Sequence, residues 1–179
     1  MSDLRTLRDR PMELLRAMER RLAGSDAQVV LGSNWAGIAM RLGDQRFLVA
    51  QDHIREIVEL PGYSRVPGGK PWLMGVANIR GELLPIINLK GMLLDAPTAL
   101  GLNSRILVLK HPQFPAGFLV DRVEGLRRFD QGQKQALAGA ELPAACSVFV
   151  NGWYGDGTQS LPVLDLYKLV EDPIFQMAA

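Results

Sequence analysis

Short apolar runs, separated by glycine, proline and polar residues, occupy most of the chain after residue 34. From Trp35 to Leu42 apolar residues alternate with other residues, and the alternation resumes at Phe47 after the turn residues Gly43 and Asp44. A period of two interrupted by a glycine turn is typical of a β-hairpin with one buried face. The pattern therefore predicts a hairpin at the start of this region.

A second pair of apolar runs, Leu73–Ile79 and Leu83–Leu89, lies on either side of a short polar turn. Runs of this length, rich in Val, Ile and Leu and bounded by glycine, are typical of strands. Gly81 in the turn can adopt the positive φ that a two-residue hairpin needs. The pattern predicts a second hairpin with Arg80 at its tip, followed by a short helix over about Leu89–Leu94.

The second half of the chain predicts further strands, a turn region at Gly152–Gly157 and a closing helix capped by Asp165. The predicted strands are Arg105–Lys110, Gly117–Val123, Leu126–Phe129, Val148–Val150 and Leu161–Leu164.

One segment occurs twice in similar form, as Leu84–Lys90 and as Leu161–Tyr167. Each copy has a proline within an apolar run, followed by Asn or Asp ahead of a predicted helix. The repeat predicts two similar small barrels. Pro85 and Pro162 are then expected at strand starts or edges, where the missing N–H costs little.

The first 34 residues differ from the remainder. Residues 1–24 carry apolar residues at helical spacing and arginines on the other side, which predicts an amphipathic helix. This helix either packs on the domain or serves as an arm that binds a partner. Residues 25–34 are predicted to be a linker. Residues 35–179 are predicted to form the globular domain, with a first barrel over about 35–94 and a second over about 95–179.

Composition is that of an ordinary globular protein, with 47% hydrophobic residues and a formal net charge of +1 over 179 residues. This balance gives no general attraction to nucleic acid or to an anionic membrane. No run approaches the about 20 apolar residues of a membrane-spanning helix, so direct membrane insertion is not expected. The single cysteine, Cys146, excludes an internal disulfide and fits a reducing compartment. We expect a soluble cytoplasmic protein.

Residues suited to catalysis or cofactor binding do not form a recognisable constellation. His53 and His111 lie far apart in the sequence, and no metal-ligand spacing or glycine-rich phosphate loop is present. Cys146 has no cation near it in the sequence, so we expect a buried and inert thiol. We therefore expect no catalytic residues, no cofactor and no metal.

Several motifs, in the same order along the chain, resemble those of the CheW-like adaptor family. The strongest is Gly-Val-Ala-Asn-Ile-Arg-Gly at residues 75–81, and Gly117–Val123 is similar to the family's Gly-hydrophobic-hydrophobic-Val-Asp-x-Val. Further similar segments are Arg41–Phe47, Ile54–Ile57 and Arg65–Pro67. The resemblance covers about residues 35–174. The segments Pro11–Leu15 and Lys70–Trp72 are similar to the pilus-associated branch of the family, the adaptors of type IV pilus twitching motility.

The resemblance, with the predicted helices, implies a mainly β fold. It consists of two SH3-like five-stranded β-barrels sharing a core, with an N-terminal amphipathic helix and a C-terminal helix. The resemblance also implies a non-catalytic adaptor, recruited to membrane-bound receptor arrays. Its partners would be the cytoplasmic helix tip of a methyl-accepting chemoreceptor and the regulatory domain of a CheA-type histidine kinase. The alternative within the family is a flagellar-chemotaxis coupling protein.

The resemblance also implies a receptor-binding groove between the barrels. By family position its residues would be Ile54, Glu56, Ile57, Arg80, Val120 and Val123. Burial in the core is the competing interpretation for the apolar members. Arg80 would either contact the receptor or hold the turn between the barrels by bonding backbone carbonyls.

A barrel that binds a small molecule or single-stranded nucleic acid is the alternative from another class of protein. Such barrels use aromatic residues on a strand face and a basic groove. Here aromatic residues make up 7% of the chain, and the charge is balanced. We therefore expect no nucleic-acid partner.

Overall fold

The computed structural model describes residues 34–96, 98, 100–136, 142–155 and 159–177. The chain divides into two compact units, residues 1–32 and residues 33–179, and every described residue belongs to the second. The predicted helix over residues 1–24 and the predicted linker up to residue 33 lie outside the described residues.

The described residues form short strands and shorter helices. The strands are β1 (Asn34–Leu42), β2 (Gln45–Ala50), β3 (Ile54–Val58), β4 (Tyr63–Ser64), β5 (Leu73–Ile79), β6 (Glu82–Asn88), β7 (Arg105–Leu109), β8 (Gly117–Val120), β9 (Arg122–Asp130), β10 (Val150–Gly155) and β11 (Ser160–Leu164). The helices are α1 (Leu89–Leu94), α2 (Ala144–Ser147), α3 (Leu166–Glu171) and α4 (Pro173–Gln176). Single 3-10 turns lie at Gln51–His53 and Gln131–Gln133.

These strands form two mixed sheets. The first has the order β10-β11-β2-β1-β9, and the second has the order β3-β7-β8-β6-β5-β4. The second therefore has one strand more than expected, the two-residue β4. The first sheet closes on itself because Gln135, beyond β9, makes two backbone hydrogen bonds of 2.9 Å with Trp153 of β10. The predicted mainly β fold with two barrels is confirmed.

The sequence predicted a boundary between the two barrels near residue 94, but the two sheets do not divide the chain there. The first sheet takes β1 and β2 together with β9, β10 and β11, while the second takes every strand from β3 to β8. The reason is parallel pairing, since β11 lies parallel to β2 and β6 lies parallel to β8. Parallel neighbours need a long connection. The connection between β2 and β11 contains the whole second sheet.

Three clusters of buried side chains hold the sheets together. Successive side chains of a strand point to opposite faces, so the central strands supply two clusters at once. The first-barrel core contains Ala39, Leu48, Phe129, Tyr154, Leu161 and Val163. The second-barrel core contains Ala77, Ile79, Leu84, Ile86, Ile106, Val108 and Leu119. The joint core takes residues from both sheets and from the helices, among them Ile38, Met40, Leu42, Phe47, Val49, Leu89, Leu107, Leu109, Phe118, Val120, Cys146, Leu166 and Phe175.

Both predicted hairpins are confirmed, as β1–β2 and β5–β6. In the second, Arg80 and Gly81 have positive φ values of 53° and 89°. Two such residues in a two-residue turn match the twist of the flanking strands. The side-chain oxygen of Asn78 accepts the Gly81 N–H at 2.8 Å and fixes the turn. The Asn-Ile-Arg-Gly motif therefore specifies a backbone shape as well as the position of Arg80.

The repeated segment forms equivalent structures in the two barrels. Asn88 accepts the N–H of Gly91 at 3.0 Å at the start of α1. Asp165 accepts the N–H groups of Tyr167 and Lys168, each at 3.1 Å, at the start of α3. These are N-caps, as the sequence predicted, and both helices begin where expected.

The two prolines lie inside strands and not at strand starts. Pro85 belongs to β6 and Pro162 to β11. Each proline precedes the stretch in which its strand pairs with a parallel neighbour, which begins at Ile86 and Val163. Its missing N–H therefore removes no hydrogen bond on that side.

The turn predicted over Gly152–Gly157 is wrong for residues 152–155, which belong to β10, while residues 156 and 157 lie outside the described residues. Gly152 has a φ of 148°, and the pairing register shifts between Val150 and Trp153. The glycine therefore makes a bulge within a strand and does not end it. The strand predicted at Val148–Val150 ends where β10 begins, and α2 precedes it.

The chain leaves the first sheet through Gln51–His53 and returns to it at Asp121. At the return, the Asp121 N–H donates to the carbonyl of Arg41 at 3.1 Å. The Asp121 carboxylate accepts the N–H of Gly43 at 2.5 Å and lies 3.6 Å from Nζ of Lys90. These contacts join the β1–β2 turn, the crossover and α1.

An aromatic cluster holds the outward crossover. The carbonyl of His53 accepts the Lys110 N–H at 2.7 Å, and the His53 ring stacks on Tyr167 with centroids 3.9 Å apart. The Tyr167 hydroxyl donates to the carbonyl of Lys110. Burial, and then the Asp52 carboxylate, raises the pKa of Tyr167, so the hydroxyl keeps its proton at neutral pH. Tyr167 thereby fastens α3 to this crossover.

The absence of a side chain at Gly75 lets β4 lie close to β5. A substitution at this position therefore tests whether the two strands pack as described. The φ of Gly75 is 151°, and a Cβ at this position would overlap the carbonyl oxygen of Ser64. We expect Gly75→Ala to lower the free energy of unfolding by about 2 kcal/mol or more, because strain and overlap are relieved only by moving β4. Urea denaturation followed by tryptophan fluorescence measures the change. Gly62→Ala is the control, since a Cβ there meets nothing within 4 Å. Equal stability of the two variants would contradict this account.

Candidate partner-binding surface

The strand β3, at one end of the second sheet, extends the joint core to the surface. Ile54 is paired with Leu109 and Ile57 with Leu107, and both partners belong to the joint core. Side chains of paired residues point to the same face. Ile54 packs against the joint core, and Ile57 is 41% exposed. Both therefore lie where the joint core meets solvent.

The strand β9, at one end of the first sheet, repeats this arrangement. Val123 is paired with Met40 and Leu126 with Ile38, and both partners belong to the joint core. Val123 packs against the joint core, and Leu126 is 45% exposed. The sequence analysis missed Leu126 as a candidate because a bulge at Gly125 breaks the alternation that would have linked it to Val123.

We call the four side chains of Ile54, Ile57, Val123 and Leu126 the edge surface. All four are paired with joint-core residues and therefore lie on the joint-core face of their strands. Val120, also predicted as a contact residue, is fully buried in the joint core. Its side chain supports the edge surface from inside.

Glu56 and Arg80 lie away from the edge surface. Glu56 is paired with Val108 of the second-barrel core, so it points to the opposite face of β3 from Ile57. Its carboxylate accepts Nε–H of Arg80 at 2.5 Å, and the Arg80 side chain is 78% exposed. Within the described residues Arg80 bonds no backbone carbonyl. The predicted set is thus divided between two faces.

Arg55 and Glu82, which the sequence analysis did not single out, extend this pair. Nη1 of Arg55 lies 2.6 Å from Oε2 of Glu82, and Nε of Arg55 lies 3.6 Å from Oε1 of Glu56. Charges therefore alternate in the order Arg80, Glu56, Arg55, Glu82. The network links the β5–β6 turn to β3 through side chains that are mostly exposed or half-exposed.

The metal-binding and thiol side chains among the described residues form no reactive site. No group of three or more His, Cys, Asp or Glu side chains among them could hold a metal ion. Cys146 is fully buried, and burial raises the pKa of its thiol to about 11. Two barrels around one joint core, with apolar side chains left half-exposed on the end strands, are an arrangement suited to binding another protein.

The chain belongs to the CheW-like domain family, whose sequence profile matches residues 36–173. It is similar to protein PilI of Pseudomonas aeruginosa, with 36% identity over 158 residues that cover 85% of each chain. It is also similar to the chemotaxis protein CheW of Helicobacter pylori, with 29% identity over 134 residues that cover 75% of this chain and 78% of that protein.

A solved structure shows the same fold. The crystal structure of the scaffolding protein TtCheW from Thermoanaerobacter tengcongensis matches with a TM-score of 0.68 at 19% identity. The match covers 78% of this chain and 89% of that one. In the part of the chain that the structure describes, every helix is too short or too polar to cross a membrane.

The raised pKa of Cys146 predicts a thiol that reacts slowly in the folded protein. A group with a pKa of about 11 is roughly 0.1% ionised at pH 8, and the thiolate is the reactive form. We expect a chromogenic disulfide reagent to modify Cys146 only after denaturation. Reactivity should rise as the pH approaches 11. Rapid modification at pH 8 without unfolding would contradict the burial.

The exposure of Arg80 predicts that its ion pair adds little stability. Exposed ion pairs contribute about 0–1 kcal/mol. We expect Arg80→Ala to change the free energy of unfolding by no more than about 1 kcal/mol in urea denaturation. A much larger loss would mean that the charge network is a structural requirement of β3.

Proposed function

We propose that this chain is a non-catalytic adaptor that couples a methyl-accepting chemoreceptor to a CheA-type histidine kinase in the control of type IV pilus twitching motility. The observation that carries the proposal is the edge surface, where aliphatic side chains from the end strands of both sheets reach solvent. An apolar strip of this kind suits the apolar face of an amphipathic helix.

The similarity to PilI supports the pilus system over the flagellar one. That match has higher identity and greater coverage than the match to the Helicobacter pylori CheW protein. The name of the Thermoanaerobacter relative describes a scaffolding protein, which agrees with an adaptor that binds partners and does no chemistry.

In this proposal the cytoplasmic helix tip of the receptor lies on the edge surface. Ile54, Ile57 and Val123 contact the apolar face of the receptor helix, and Val120 supports them from the joint core. Glu56 and Arg80, on the other face of β3, hold that strand in register or contact a second partner. The kinase regulatory domain binds other barrel edges, because simultaneous binding of two proteins requires separate surfaces. The adaptor then works in the cytoplasm beside membrane-bound receptors.

Reversal of the charge at position 80 tests the proposal. Arg80→Glu places a second carboxylate beside that of Glu56. Repulsion between the two carboxylates then pushes the β5–β6 turn away from β3. We expect at least about tenfold weaker binding of the receptor fragment, of the kinase, or of both. Isothermal titration calorimetry with each purified partner measures the loss.

Arg65→Glu is the matched control for this experiment, because Arg65 is an exposed arginine without an ion pair among the described residues. If the wild-type protein binds neither a chemoreceptor nor a CheA-type kinase from its own organism, the proposed function is wrong. If Arg80→Glu folds and binds both partners normally, Arg80 has no role in coupling.

A further inference from the structure

The two end strands β3 and β9 occupy equivalent places in the two sheets. Each begins just after a crossover between the sheets. Each carries an aliphatic residue packed on the joint core, then a shift in pairing register, then a half-exposed aliphatic residue. The equivalent residues are Ile54 with Val123 and Ile57 with Leu126. The half-exposed members have similar exposures, 41% and 45%.

The carboxylate of Glu59 lies just beyond Ile57 on the β3 side of the edge surface. Val58 and Leu60 both pack against the second-barrel core, so Glu59 between them points to the opposite face. The Glu59 side chain is 86% exposed, and its ion-pair partner Arg105 is 3.8 Å away. Arg105 is paired with Val120, just before β9, so Glu59 lies toward the beginning of β9.

The guanidinium group of Arg128 lies just beyond Leu126 on the β9 side of the edge surface. Phe129 belongs to the first-barrel core, so Arg128 points to the same face as Leu126. Arg128 is exposed and forms no ion pair with any described residue. It is paired with Ala36, which lines a cavity together with Asp52, two residues before β3. Arg128 therefore lies toward the beginning of β3, and no ion pair joins it to Asp52.

The two sides of the edge surface thus have the same apolar pattern and opposite charges. Each ends in a charged residue two positions beyond its half-exposed aliphatic residue, Glu59 on one side and Arg128 on the other. The two charges lie at opposite ends of the edge surface. Glu59, which follows β3, lies near the start of β9, whereas Arg128, near the end of β9, lies near the start of β3. A partner that lies between them meets an anion at one end and a cation at the other.

We propose that the edge surface selects an amphipathic helix that is acidic at one end and basic at the other. Its acidic end faces Arg128, its basic end faces Glu59, and Leu126 contacts its apolar face opposite Ile57. This inference rests on the proposed function, since it names the charge pattern of the receptor helix. Exposed charge pairs add little affinity, but a reversed helix would place like charges together at both ends. The two charges therefore fix the direction in which the helix binds.

The experiment measures the affinity of the full chain for the purified cytoplasmic helical hairpin of a chemoreceptor from the same organism. We expect Leu126→Glu to weaken binding at least about tenfold and Arg128→Glu or Glu59→Lys about fivefold each. Arg128→Lys, which keeps the charge, should bind within about twofold of wild type. Higher salt should reduce the difference between Arg128→Glu and wild type, because exposed charges are screened.

Two positions outside the edge surface give matched controls. Leu102→Glu alters a leucine that is 96% exposed outside the edge surface, and Arg127→Glu alters an arginine on the opposite face of β9. Both should bind like wild type, and unchanged circular-dichroism melting curves should exclude unfolding of every variant. If Ile57→Glu weakens binding while Leu126→Glu and Arg128→Glu do not, the inference is wrong and the proposed function stands. If the wild-type chain does not bind the hairpin, the proposed function itself fails.

Discussion

Burial of both faces of the central strands is the constraint on which the structure depends. Leu48 fills the first barrel, while its neighbours Phe47 and Val49 fill the joint core. Each fully buried aliphatic or aromatic side chain contributes about 1.5–3 kcal/mol, so neither barrel can separate without exposing a large apolar face. Strands at the ends of the sheets bury only part of that face, because no further strand covers them. The edge surface is therefore the exposed margin of the joint core, which explains why Ile57 and Leu126 are aliphatic although they are half-exposed.

The two copies of the internal repeat share an architecture but differ in their side-chain chemistry. In both barrels a proline-containing strand leads into a helix capped by Asn88 or Asp165. The residue two positions beyond each cap fastens its helix to a crossover. Lys90 does so through a carboxylate, and Tyr167 through ring stacking and a hydroxyl. The end strands differ in the same way, with matching apolar positions and opposite terminal charges. Positions that fill the core are constrained by shape, whereas exposed positions are free to acquire different partners.

The sequence predicted the features that depend on neighbouring residues and missed those that depend on distant ones. Alternation and turn glycines located both hairpins, and the caps at Asn88 and Asp165 located two helices. Such local signals could not assign the strands to the two sheets, because the parallel pairing of β11 with β2 leaves no pattern in the neighbouring sequence. Bulges obscure the strand pattern in two places: Gly152 resembles a turn residue, and Gly125 interrupts the alternation that relates Leu126 to Val123. The division of the predicted contact residues between two faces was also beyond local signals, because only the pairing register of β3 shows that Glu56 faces away from Ile57.

Insertion of the second sheet between two parts of the first has a consequence for biosynthesis. Residues 54–120 contain every strand of the second sheet, so this barrel can form while the remainder of the chain is still being translated. The first barrel must wait for β11, whose Val163 pairs with Leu48. Until β11 pairs, its buried side chains Leu161, Val163 and Leu164 are missing from the first-barrel core and the joint core. The last strand among the described residues therefore pairs with the first hairpin among them. A product truncated before β11 would lack this pairing, expose apolar side chains and be open to proteolysis.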